Sequence, residues 1–161
     1  MSKGKRAIFR LDSDLYPVTV TGKNSTEVEL ENGAFVEVGT IIEDELGRDT
    51  YKLTKLSGEA GKIVGFVSSP SLMYDEREDE RDFVCGTDEL IRAYIPNKST
   101  VATYAMKHFD NNGTGLVAGD KLCAKANSIT LAKVTADEVA IAEVMDKEDF
   151  EGQESLVLRF L

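Results

Sequence analysis

The chain has 161 residues, three prolines, no tryptophan and a formal charge of −10. With 42% hydrophobic and 30% charged residues it is long and apolar enough to fold around a core of its own, which excludes an intrinsically disordered chain. So acidic a balance argues against nucleic-acid binding, which needs a basic face, and no apolar run approaches the ~20 residues of a membrane span.

No apolar segment follows Met1, so a cytoplasmic origin is expected, with Cys85 and Cys123 reduced. Neither cysteine lies in a CxxC pair, and both are expected to behave as small buried hydrophobes. The one basic cluster, Lys3, Lys5 and Arg6, opens the chain. It reads either as a solvated tail or as an arm that docks on an acidic neighbour. Residues 1–15 are accordingly expected as an N-terminal arm, and 16–161 as a single β-barrel domain.

Strand signals then follow in order. PVTVT (17–21) alternates Val18 and Val20 with threonines. VELENGAFVEV (28–38) places Asn32-Gly33 between two alternating runs, a hairpin signal because both turn positions need positive φ. TYKLTKL (50–56) alternates until Leu56 falls out of phase. KIVGFVSS (62–69) is mostly apolar, and Gly65 inside it suggests a bulge or tight bend. GTDELIRAYI (86–95) is the best candidate for a short helix, with Thr87 as its cap. STVATYAM (99–106), KLCAKA (121–126), SITLAKV (128–134) and SLVLRFL (155–161) read as strands. In TADEVAIAEVM (135–145), Thr135 and Glu138 have capping-box spacing, but the β-branched run VAIAEVM favours a turn followed by a strand. Short strands with frequent turns predict an all-β fold, a small antiparallel barrel or sandwich with one short helix.

YDEREDERDF (74–83) interrupts this pattern with six acidic and two basic residues in a row. As a helix it would stack Asp75 on Asp79, Glu76 on Glu80 and Arg77 on Arg81, with no apolar face to bury. A solvated loop, a specific protein contact and a metal or catalytic site are all open for it. It is expected to belong to a charged loop excursion from the barrel over about 70–98, with Tyr74 and Phe83 pinning its ends.

Catalytic and metal signatures are weak elsewhere. DNNGTGLVAGDK (110–121) has Asp110, Asn112, Thr114 and Gly115 at the first half of an EF-hand spacing, but Lys121 falls where a bidentate Glu is required. His108, the sole histidine, has no cysteine or second histidine at zinc-ligand spacing. Neither a G-x-S-x-G motif nor a phosphate loop is present. No catalytic residue, metal site or cofactor is expected.

Four stretches in order carry a family resemblance: ENGAFVEVGTII (31–42), SSPSLMYDEREDERDF (68–83), ELIRAYIP (89–96), and GLVAGDKL (115–122) through LVLRF (156–160). Together they resemble the head decoration, or capsid cement, proteins of tailed bacteriophages of Gram-positive hosts. The Cys85-Gly86-Thr87 stretch is shorter and more polar than the family pattern. The resemblance implies a non-enzymatic virion protein on the capsid surface, present in the host cytoplasm during assembly. It implies the major capsid protein as partner, self-association as a dimer or trimer, and no nucleic acid or membrane. On that reading Lys3, Lys5 and Arg6 would dock on acidic capsid, and Asp75, Glu76 and Arg77 would meet charged capsid residues. Tyr74, Phe83 and Tyr94 would be the apolar anchors. A tail-tube or head–tail connector barrel is the first alternative, and a small ligand-binding barrel or enzyme is the second.

Overall fold

The computed structural model describes residues 9–13, 18–43, 49–68, 84–150 and 152–161. The fold is mainly β, as the alternation predicts. Its strands are β1 (Phe9–Ser13), β2 (Val18–Asn24), β3 (Phe35–Glu43), β4 (Asp49–Thr54), β5 (Val64–Val67), β6 (Leu90–Ile95), β7 (Val101–Ala105), β8 (Lys121–Ala124), β9 (Leu131–Lys133), β10 (Ala142–Phe150) and β11 (Gln153–Phe160). Two single 3-10 turns, Met106–His108 and Asp110–Gly113, follow β7.

The strands form two layers. One is a closed barrel in the order β2-β4-β3-β5-β6, and the other is a six-stranded sheet in the order β1-β7-β11-β10-β8-β9. The barrel is antiparallel except where β2 and β4 run parallel, with Gly22 opposite Tyr51 and Asn24 opposite Leu53. That parallel pair closes the cylinder and removes its edges.

Alternation along the barrel strands feeds two cores. Val36, Val38, Leu53, Val67, Ile91 and Ala93 point inward and fill the barrel. On the opposite face of the same strands, Phe35, Phe66 and Tyr94 point outward and pack on Tyr104, Leu156, Leu158 and Phe160 of the sheet. Phe66 stacks on Tyr94 with centroids 5.0 Å apart and meets Tyr104 edge-on at 5.5 Å. Both faces of β3 and β5 are therefore apolar, whereas β2 and β4 carry threonine and lysine outward. The sequence registers this difference as apolar AFV and VGFV beside alternating VTVTGK and TYKLT.

Several expectations are corrected. Residues 86–95 form no helix: Leu90–Ile95 is barrel strand β6, paired on both sides, so this part of the stretch expected as an excursion belongs to the wall. Ile91 and Ala93 alternate with Arg92 at strand spacing, and the short run lacks the length a helix needs. Asn32-Gly33 does turn, with Gly33 at φ 93°, but its flanking runs do not pair with each other. Leu30 bridges to Cys85 and Phe35 pairs with Phe66. Gly65 makes no bulge. A Cβ there would lie 2.8 Å from the Tyr94 carbonyl oxygen, so glycine allows close strand approach. The expected arm of residues 1–15 includes β1, which pairs with β7 in the sheet. The strand expected at 139–145 begins at Ala142 and continues to Phe150, after a turn in which Glu138 accepts hydrogen bonds from the Ala136 amide (2.7 Å) and the Thr135 hydroxyl (3.2 Å).

Candidate interaction surface

The charged stretch lies between two well-fixed ends. Before it, the Gly33 amide donates to the Val67 carbonyl (2.8 Å), and the Ser68 amide donates to Arg92 (3.1 Å). After it, Cys85 and Leu30 exchange both backbone hydrogen bonds, at 2.8 and 2.9 Å. Val67 and Cys85, described residues on either side of 69–83, thus both pair with the Leu30–Ala34 turn. Tyr74, Asp75, Glu76, Arg77 and Phe83 lie outside the described residues, as do Lys3, Lys5 and Arg6.

That turn is braced from two directions. On one side stands Asn24, fully buried at the end of β2. Its amide donates to the carbonyls of Val28 (3.0 Å), Cys85 (3.2 Å) and Gly86 (3.2 Å), and its carbonyl accepts from the Thr26 amide (3.0 Å). One side chain thereby satisfies backbone groups from two crossing segments. On the other side stands His108, buried at the end of the first 3-10 turn. Its Nε2 is 3.0 Å from the Asn32 carbonyl oxygen, which can only accept, so Nε2 carries the proton. Burial holds the His108 pKa down at about 4, against weaker opposing effects that include the Glu31 carboxylate. Beside it Lys107 pairs with Glu31 at 2.6 Å, a second tie from the sheet layer to the turn.

Tyr94 corrects the expectation of an apolar anchor for a partner. It is 3% exposed, stacked on Phe66 within the interlayer core, and cannot reach another molecule while the layers stay packed. The cysteines are buried; burial pushes the Cys85 thiol up to about 11 and raises that of Cys123 as well, which keeps both protonated. In the EF-hand-like stretch, Asp110 pairs with Lys125, and Asn111 and Asn112 adopt left-handed backbone. No group of three or more His, Cys, Asp or Glu suited to a metal occurs among the described residues. A small cleft of about 60 Å³ lies between the Gly58–Lys62 segment and Cys123, Glu138 and Val139.

Sequence reading missed two features. Asn24 carries no distinctive signal in the sequence, and only the strand crossing makes it a hub. Lys23, Lys52 and Arg92 are scattered along the chain, and only the register assembles them on one wall of the barrel. No family model matches the chain, and no curated protein matches it either.

Proposed function

We propose that this protein is a non-enzymatic structural component of a tailed-phage virion that binds the outer surface of the capsid and stabilises it. The observation that carries the reading is that the described residues on either side of the charged segment, Val67 and Cys85, are both hydrogen-bonded to the Leu30–Ala34 turn. A stretch with eight consecutive charges has no core of its own to join. Fixed ends restrict where such a stretch can be offered, and pre-positioning lowers the ordering cost of a contact. The two-layer β scaffold and the acidic balance suit the same role, and the order of the four stretches resembles that of capsid cement proteins. The partner on this reading is the major capsid protein. Individually modest contacts would hold through repetition over many identical capsid sites.

The test uses matched capsids that lack the protein. Added back, the wild-type chain raises the temperature at which capsids release their contents. A variant in which Asp75, Glu76, Glu78 and Asp79 are replaced by Asn or Gln restores less protection at equal concentration. Capsids whose heat resistance is the same with and without bound protein would contradict the proposal. Deletion of Met1–Arg6 tests the arm separately: unchanged capsid affinity would remove it from the account.

A further inference from the structure

The outer face of the barrel along β2, β4 and β6 brings three cations together. Along β2, β4 and β6, which are adjacent in the barrel, the outward positions include Thr19, Thr21, Lys23, Lys52 and Arg92. Lys23 is the direct register partner of Lys52, and Arg92, opposite Thr21, is its diagonal neighbour on the other side. Lys52 and Arg92 are exposed, and Lys23 is half-buried. Elsewhere Lys55, Lys107, Lys121, Lys125 and Lys133 each sit on a carboxylate. Among the described residues, none lies within ion-pair distance of Lys23, Lys52 or Arg92. Like charges directly opposite one another destabilise a sheet. Lysines on a strand often guard an open edge, but a closed barrel has no edge there to guard.

The opposite layer carries the complementary arrangement. At the tip of the β10–β11 hairpin Asp149 is the register partner of Glu154, both exposed, so two carboxylates face each other across the strands. Asp146 and Glu148 lie on the same distal half of the hairpin, where Lys147 is the one cation in the sequence of residues 146–155; Arg159, at the far end of β11, lies near Glu143. The hairpin also runs past its neighbour: β8 pairs with β10 only at Ala142 and Glu143. At the exposed margin beyond, the Lys147 amide is satisfied by the Asp146 carboxylate at 2.8 Å, so strand addition is blocked there and charge is what the tip offers.

We infer that the Lys23–Lys52–Arg92 wall of one copy receives the acidic β10–β11 hairpin tip of a second copy of this chain. Each like-charge pair is unfavourable alone, and one contact relieves both. Because two different surfaces meet, the contact is head-to-tail, closing into a ring or continuing as a chain according to the rotation between copies. The inference stands on the charge layout and does not depend on the capsid reading.

Sedimentation velocity of the full-length protein tests it, at ~0.02 M and ~0.5 M salt, since the screening length shortens several-fold between them. Self-association at low salt that weakens at least ~10-fold at high salt is expected. K23E/K52E leaves two acidic surfaces and D149K/E154K leaves two basic ones, so each variant alone is monomeric. An equimolar mixture regains association, because the reversed wall of one accepts the reversed tip of the other. All four substitutions lie at solvent-facing positions, and circular dichroism checks that each variant keeps its fold. A wild-type chain that stays monomeric at low salt, or a mixture that stays monomeric, overturns the inference. So does association that survives either variant alone.

Discussion

Gly33 and His108 share a space that only glycine leaves open. A Cβ on Gly33 would lie 2.9 Å from His108 Nε2, and the residue already sits at φ 93°. Gly33→Ala therefore strains the backbone and displaces the imidazole; a loss of about 2 kcal/mol in urea unfolding is expected. His108 itself sets a pH dependence. Its folded pKa of about 4 lies below the ordinary 6.5, so the unfolded chain takes up the proton first. Its contribution is complete above pH 6.5 and is lost as pH falls towards 4, a total of about 3 kcal/mol. His108→Gln keeps an N–H donor for Asn32 and removes the titration, so its urea midpoint should stay flat between pH 6.5 and 4.5 while the wild-type midpoint falls. Carboxylates held low by lysines, such as Glu143 by Lys121, act in a separate and more acidic window. Asn24→Ala leaves the Val28, Cys85 and Gly86 carbonyls without their shared donor. With three buried or half-buried acceptors affected, a loss of about 3 kcal/mol is expected. Hydrogen exchange of the Leu30 and Cys85 amides should accelerate with it, because the same residue ties both segments together.

At the scale of elements, the strands were legible where one face is wet and less so where both are dry. The alternation in β2, β4 and β11 marks them in the sequence. β5 was recognised from a short apolar run, yet nothing local says that Phe66 and Val67 serve different cores. β6 reads as a helix because Thr87 offers a cap; pairing with β2 and β5 overrides that local signal. β1 was missed because FRLDS shows too little apolar alternation to stand out from a polar arm. Asn32-Gly33 does turn, but only Gly33 has positive φ and the expected hairpin does not form, because local turn chemistry does not fix which distant strand supplies the ladder. The interlayer core should be the most sensitive packing site. Phe66→Ala removes a ring that touches Tyr94, Tyr104 and Phe160, and should cost about 4 kcal/mol in denaturant unfolding. Gly65→Val should also destabilise, by pushing β5 away from the Tyr94 backbone.

For the whole molecule, the candidate surface was legible only in part. The charged segment was conspicuous as composition. That its two ends are fixed beside the same turn follows from contacts between Leu30 and Cys85 and between Gly33 and Val67, and no local pattern encodes these. Tyr94 looked like an available aromatic and is instead mortar between the layers. The molecule is a two-layer β scaffold in which Val67, Ser68 and Cys85, the described residues flanking the charged segment, are tied beside one turn or to β6, and β2, β4 and β6 bring three cations together. The central claim is capsid binding, and co-sedimentation of the purified protein with matched undecorated capsids tests this most directly. The account predicts saturation at a fixed number of copies per capsid subunit, with binding reduced by neutralising the charges of residues 75–82. A folded protein that stays in the supernatant at every concentration would contradict it.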